Sequence, residues 1–438
     1  MVSVLLLACN TPTPYPDGKP DTKPTQVNFA KADTTIVYEC NERLFARSNA
    51  FAAVQAYLPV LQDMHVNVLW LMPIHPRGTV NSVNSPYCVK DYYEIDPAFG
   101  DLSDLKNLVQ DAHNRGMKVI LDWVANHTAY DNPLYINHPE YYTQPVGEER
   151  NWSDVVPLNY DLSEVREYTT NAMLYWVREA DIDGFRCDYA EGCTSEFWSQ
   201  AIGAIRAEKA DAIMLAEASN TALYNAGFDW LYSWKFLGAV QNLFKGSKTL
   251  KSLYSTSANE FRTTPDGKNR LRYTTTHDAS SENAPATFYR SAYGQLAAAC
   301  LTFFLGGVPM IYSSQEIGDM SQINFFEYNI KNFSTANSIR NAYAALLNAY
   351  VNTAEARYGT RTDYSTDKVA MFTLEQKDTE SGQSRSLLVV VNTTNTQQEV
   401  TLPMDWQRNK YLDPIAGDSI WSPKSLTLPA YGYNLYSN

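Results

Sequence analysis

Met117-Lys118-Val119-Ile120-Leu121-Asp122-Trp123-Val124-Ala125-Asn126-His127 is the stretch that decides the fold. Residues 117–123 are mostly apolar, as a strand buried on both faces must be, and the stretch closes on an amide and an imidazole. Just upstream, Leu105, Leu108, Val109 and Ala112 recur at helical spacing. Ser103 is a candidate N-cap for that helix, and Gly116 suits its C-terminal stop. A helix, a tight turn and a buried strand make one repeat of a parallel α/β fold.

The same alternation extends in both directions. Strands are expected at 34–38 and 66–72 before it, with Val54, Leu58 and Leu61 supplying a helix between them and Pro73 ending the second strand. After it, strands are expected at 182–187, 212–216, 228–232, 271–275 and 308–312. Eight strands with intervening helices suit a barrel or a doubly wound sheet. No Gly-x-Gly-x-x-Gly follows the first strand, so the nucleotide-binding version has no support. The expected fold is a (β/α)8 TIM barrel.

Two regions break the alternation. Residues 129–158 are rich in Tyr, Pro, Asn and Glu and lack periodicity, which predicts a short inserted lid domain over the barrel mouth after strand 3. Beyond a last helix at 342–350 the pattern turns to alternating strands at 369–374, 387–391, 399–402 and 425–428. These predict a C-terminal antiparallel β-sandwich over 351–438. The barrel itself is then assembled from 27–128 and 159–350.

Ahead of the barrel, residues 2–8 are apolar and end at Cys9, and Leu6-Leu7-Ala8-Cys9 resembles a bacterial lipobox. That resemblance implies a secreted or cell-envelope lipoprotein, with Cys9 as a lipid anchor and 10–26 as a polar tether. A fortuitous apolar start is the alternative. The net charge of -13 argues against a nucleic-acid partner, which needs basic stripes. Cys40, Cys88, Cys187, Cys193 and Cys300 remain, an odd number with no metal-binding spacing, and are expected to be mostly buried thiols.

Polar groups gather at the C-terminal ends of four expected strands: Asp122 to His127, Gly184-Phe185-Arg186-Cys187-Asp188, Ala216-Glu217-Ala218 and Thr276-His277-Asp278. In a barrel these ends share one mouth. An isolated Asp at a strand end is more often a cap than a catalyst. Several carboxylates converging with an Arg and two His repel one another, however, and such assemblies are functional sites.

From 34 to 438 the chain resembles the α-amylase family of glycoside hydrolases. The family's four short motifs are matched by Asp122–His127, Gly184–Asp188, the segment around Glu217, and His277-Asp278. Pro157-Leu158-Asn159, Met72-Pro73-Ile74-His75-Pro76, Ser85-Pro86-Tyr87 and Leu428-Pro429-Ala430-Tyr431-Gly432-Tyr433 resemble further family segments, in order. The resemblance implies Asp188 as nucleophile, Glu217 as general acid and base, and Asp278 as a third catalytic carboxylate binding sugar hydroxyls. Arg186 would keep Asp188 ionised, His127 and His277 would hydrogen-bond the sugar, and Tyr87 would stack beneath it. Asp122 would brace the site. Asn126 resembles a calcium ligand, although its amide could equally tie the insertion to the barrel. No organic cofactor is implied.

The implied substrate is an α-glucan or maltooligosaccharide cut at α-1,4 bonds with retention. A glucanotransferase, an exo-acting or 1,6-specific hydrolase, and a non-catalytic surface glycan-binding protein are the rivals. Two departures stand out. Glu191-Gly192 replaces a Lys-His pair common after the nucleophile, and Thr276 stands where Asn usually precedes His-Asp. The insertion is short for the family, which implies an open cleft.

Overall fold

The computed structural model describes residues 34–334, 337–377 and 384–438. Cys9 and the 10–26 tether lie outside the described residues. Ten strands precede the C-terminal region: β1 (Val37–Cys40), β2 (Val68–Leu71), β3 (Lys118–Val124), β4 (His127–Ala129), β5 (Val155–Pro157), β6 (Gly184–Asp188), β7 (Ile213–Ala216), β8 (Trp230–Leu231), β9 (Asn269–Arg272) and β10 (Val308–Tyr312). Eight of them close into a parallel barrel in the order β1-β2-β3-β6-β7-β8-β9-β10, with β10 pairing back onto β1. Strands β4 and β5 are the two antiparallel arms of the insertion, paired His127 to Pro157.

Each barrel strand alternates two faces, and the two faces go to different cores. Val37, Val68, Ile120, Leu215, Leu271, Val308 and Met310 point inward and fill the lower barrel. Their neighbours Tyr38, Leu69, Val119, Leu121, Phe185 and Met214 point outward and pack on the helical ring. Following the inward parity upward, Val37 leads to Glu39, Val68 to Trp70, Ile120 to Asp122, and Leu215 to Glu217. The mouth is built from the same rows as the apolar floor.

Two local expectations shift. Strand β1 begins at Val37 and not at residue 34, because its register with β2 pairs Val37 with Val68 and Cys40 with Leu71. The shift brings Glu39 inside the barrel. The helix Leu102–Asn114 is capped by Asp101, two residues before Ser103. Asp101 accepts from the amides of Ser103 and Asp104, and the Asp104 carboxylate accepts from the Asp101 amide, a reciprocal box that leaves Ser103 inside the helix. Gly116 does end the turn, at φ 76°.

Beyond the short helix Glu355–Tyr358 all strands are antiparallel. They are β11 (Thr360–Asp363), β12 (Val369–Lys377), β13 (Ser384–Asn392), β14 (Gln398–Thr401), β15 (Lys410–Asp413), β16 (Asp418–Trp421), β17 (Ser425–Leu428) and β18 (Tyr433–Ser437). Six form one sheet in the order β11-β12-β13-β18-β15-β16, and β14 pairs with β17 separately. Val369, Met371, Leu388, Val390 and Tyr436 face the small sheet and share a core with Val400, Leu402, Trp406 and Leu428. Ala370, Phe372, Leu387, Val389 and Leu435 face the other way and join the core of the barrel's helices. Period-two alternation thus supplies two faces, one for each partner. The cysteines at 40, 88, 187, 193 and 300 are free and buried. No helix among the described residues is long and apolar enough to cross a membrane.

Candidate active site

Arg186 is the centre of the barrel mouth. It projects inward from β6, is fully buried, and its guanidinium lies between the rings of Trp70, Tyr87 and Tyr232 at 5.1, 5.6 and 5.5 Å. Its Nη1 donates to Asp122 Oδ1 at 2.7 Å and to Asp188 Oδ1 at 2.9 Å, and its Nη2 pairs with Glu217 Oε2 at 2.8 Å. One cation therefore holds three carboxyls from three adjacent strands. Planar fork geometry is what allows this, and a lysine could not match it.

The carboxyls differ in environment. Asp122 has no exposed surface and accepts from Arg186, from Trp70 Nε1 at 3.1 Å and from the Tyr87 hydroxyl at 3.0 Å. Burial lifts it to about 7, but every neighbour is a donor, the set an ionised carboxylate takes, so the anion is its resting form. Asp188 and Glu217 sit just above, with side chains 13% and 18% exposed, and line the cleft. Burial raises Asp188 to about 6, with Arg186 pulling it down. Burial also raises Glu217, again opposed by Arg186, and the neighbouring Asp188 pushes it further up. Glu217 accepts from the Tyr189 amide at 3.0 Å. Asp278, at 35% the most exposed of the set, opens furthest toward the cleft. Burial lifts it to about 7, with His277 opposing.

His277 stands behind Tyr87, 1% exposed, with both ring nitrogens engaged. Nε2 lies 2.8 Å from the Tyr87 hydroxyl and 3.2 Å from Asp278 Oδ2, and Nδ1 meets the Glu39 carboxyl. The Tyr87 and His277 rings stack at 5.3 Å. The protons in this chain can be counted. Tyr87 has one hydrogen and gives it to Asp122, so His277 Nε2 must carry a proton to bond the Tyr87 oxygen. Burial holds His277 down to about 4, which keeps the ring neutral and leaves Nδ1 bare. Glu39 Oε1 faces this nitrogen and also accepts from the His277 backbone amide, and burial lifts the Glu39 carboxyl to about 8, the direction in which it keeps a proton to donate.

His127 lines the cleft beside Trp152 of the insertion, ring to ring at 5.2 Å, and Trp152 also meets Tyr189 at 5.0 Å. Asn126 donates to Glu149 Oε1 at 3.0 Å, so its amide ties the insertion to the barrel. One amide and one carboxylate fall far short of the six to eight oxygens a calcium ion takes. Among the described residues no three His, Cys, Asp or Glu side chains gather to hold a metal. The side chains around Asn126 do not fit a calcium ion. Glu191, one of the departures, accepts from the amides of Ser219 and Asn220 at 2.6 and 2.8 Å and so fixes the loop that follows Glu217. Gly192 packs so tightly that an added Cβ would lie 2.1 Å from Asn126 Oδ1. Thr276 caps the turn His277–Glu282 by accepting from the Ala279 amide, which places Asp278 in the first turn.

The mouth opens into a cleft of about 1160 Å³ whose walls include Tyr87, Trp152, Trp234 and Phe325. Sequence reasoning did not single out Glu39, Trp70, Trp152, Trp234 or Phe325. Inward parity on β1 and β2 would have found the first two.

Carboxyls paired on one guanidinium stand in an aromatic-walled cleft at the C-terminal mouth of a (β/α)8 barrel, the end at which barrel enzymes carry their active sites. The alpha amylase catalytic-domain model matches residues 43–154 and 149–412. The chain belongs to the alpha-amylase family. It is 28% identical over 379 residues to a cyclomaltodextrinase of Thermoanaerobacter pseudethanolicus, covering 78% of this chain and 63% of that relative, less than two thirds of its length. A noncanonic maltogenic alpha-amylase from Thermotoga neapolitana superposes with a TM-score of 0.80 at 26% identity, over 93% of this chain and 99% of the other. An alpha-amylase from Lactobacillus plantarum superposes equally well, at 25% identity and the same coverage.

Proposed function

We propose that the protein is a retaining hydrolase of α-1,4-glucans, with Asp188 as nucleophile, Glu217 as acid and base, and Asp278 as the carboxylate that grips sugar hydroxyls. The observation that carries this reading is the single Arg186 guanidinium ion-paired with both Asp188 and Glu217 at the cleft floor. Two carboxyls sharing one guanidinium stand close together, which favours the retaining separation of about 5–5.5 Å over the inverting range of roughly 6.5–9.5 Å.

In the first step Asp188 attacks the anomeric carbon while Glu217 gives its proton to the leaving oxygen. The chain fragment departs as an alcohol and the sugar stays as an ester on Asp188. In the second step Glu217, now ionised, takes a proton from water, and the hydroxide oxygen displaces Asp188. Arg186 favours the ionised nucleophile, and Asp188 in turn raises the proton affinity of Glu217. One environment thus prepares two carboxyls for opposite tasks. Tyr87 offers a ring face to the reacting sugar, and His127 lines the same wall. His277 acts through Tyr87 and Asp278, because its own nitrogens are occupied.

The test is product analysis with amylose, pullulan and maltoheptaose beside an Asp188→Asn control. Maltooligosaccharides released initially as α-anomers, and lost in the control, support the reading. Products longer than the maltoheptaose supplied would make the enzyme a transferase. Binding without turnover would leave a glycan receptor. Anchoring at the cell envelope through an acylated Cys9 belongs to the same proposal, and metabolic lipid labelling lost in Cys9→Ala checks it.

A further inference from the structure

The two arms of the cleft are built differently. The leaving group departs past Glu217 and so runs toward Ser219, Glu191 and Trp234, all of which line the cleft. The sugar on Asp188 extends the other way, past Asp278 and Tyr87, toward the non-reducing end of the chain. Across the barrel from β7, the residues lining the cleft include Val83, Ser85, Phe325 and Phe326.

The two loops that carry this wall are tied to each other. They are the loop after β2 and the loop after β10, and these strands flank β1 in the barrel. Asn84 Nδ2 donates to the Phe326 carbonyl at 2.6 Å across 242 residues of sequence. Asn84 Oδ1 accepts from Arg77 Nη1, and Arg77 pairs with Asp96 at 3.7 Å. From the other side, Phe326 packs edge-on against Phe325 at 4.7 Å, and Phe325 packs on His277 and Tyr87 at 4.9 and 5.8 Å. The loop bearing these rings is itself tied down, since Asn329 and Lys331 donate their amides to the carbonyls of Arg43 and Leu44. Asn84 holds a left-handed backbone at φ 69°, a conformation asparagine tolerates better than most residues. The strap is therefore connected to the barrel at both ends and reaches His277 through two aromatic contacts.

We propose that the Asn84–Phe326 strap makes the glycone arm of the cleft blind, so that the enzyme removes short units of uniform length from the non-reducing ends of α-glucans. The inference rests on the hydrolase reading above and names its substrate end. The aglycone arm imposes no such limit, so long and short chains are both accepted as leaving groups.

The experiment uses maltoheptaose carrying a fluorophore at its reducing end, and amylose, with the full chain and two variants. Asn84→Asp keeps the oxygen toward Arg77 but turns an acceptor toward the Phe326 carbonyl, and so unfastens the strap in an otherwise isosteric side chain. Asn84→Gly removes both bonds and retains the left-handed backbone. The wild type is expected to release one short unlabelled product from the first minutes, while the labelled fragment shortens in uniform steps. Both variants should shift the unlabelled product upward by one or more glucosyl units and spread its size, with the rate of bond cleavage changed less than threefold. A broad ladder of early products from the wild type overturns the proposal, as does an unchanged pattern in both folded variants. Loss of all cleavage in the wild type would instead remove the hydrolase reading, and the inference with it.

Discussion

The lower and upper halves of the barrel interior are made from the same strands at the same parity and have opposite chemistry. Below, Val37, Val68, Ile120, Leu215, Leu271 and Val308 interdigitate as a dry core. Further along at the same parity stand Glu39 on β1, Asp122 on β3, Arg186 and Asp188 on β6, and Glu217 just past the end of β7. The lower layer stabilises the fold through apolar burial and packing. The upper layer concentrates like charge around one cation, which opposes folding. Function lies where the barrel departs from its own packing rule.

The comparison breaks most visibly at Asp188. With Asp188 as the proposed nucleophile, Asp188→Asn should lower turnover by about 10⁴-fold or more, leaving only binding and residual electrostatics. The same change removes one of several repelling charges, so the melting temperature should stay or rise. Calorimetry beside kinetics checks both, and a large fall in melting temperature would mean that the upper layer is structural after all. Arg186→Leu should cost both properties. It leaves Asp122, Asp188 and Glu217 without their shared cation, and breaking a buried pair from one side costs about 3–5 kcal/mol.

Ile120→Ala probes the lower layer alone. Ile120 is fully buried at the barrel centre, and truncation should cost about 2–5 kcal/mol by denaturant titration. Turnover per folded molecule should change little at moderate temperature. A loss of turnover comparable to the stability loss would show the two layers to be coupled and not merely adjacent.

Legibility in the sequence follows the same division. Most barrel strands were readable because parallel strands buried on both faces leave continuous apolar runs. Strand β9 is the exception, since Asn269-Arg270-Leu271-Arg272 is polar and the expected strand, at 271–275, starts two residues late. Asp122, Arg186, Asp188, Glu217 and Asp278 were readable because they end such runs or lie just beyond them. Glu39 was not, because the β-branched run 34–37 draws the strand start too early and leaves Glu39 beyond its end. Only the pairing of Val37 with Val68 corrects it. Trp152 lies in an insertion without periodicity, and its contact with His127 depends on the pairing of β4 with β5. The Asn84–Phe326 bond joins loops far apart in the chain, and no local signal announces such a contact. Similarly, His277 matched a sugar-contacting position by its motif, while its burial behind Tyr87 depends on the floor beneath it.

The smallest expected effect is also the sharpest probe of the boundary between the layers. Glu39 sits directly above Val37, and it is neutral at pH 7 if it donates to His277 Nδ1. As pH rises through about 8, Glu39 ionises against a bare nitrogen lone pair and the bond turns repulsive. Activity should therefore fall on an alkaline limb near pH 8. Stability has the same sign: the folded protein holds this proton more tightly than the unfolded chain, so Glu39 contributes a loss of stability as pH rises from about 4.5 toward 8. Glu39→Gln replaces the acid by an amide that still donates to Nδ1 but cannot ionise. Its activity at pH 7 should stay within about threefold of wild type, a shift below 1 kcal/mol, while the limb moves to higher pH. Nitrogen-15 NMR of the His277 ring, assigned with a His277→Gln control, should show the proton on Nε2 in both proteins at pH 7. A proton on Nδ1 instead would make Glu39 an ionised acceptor, one more negative charge in the upper layer.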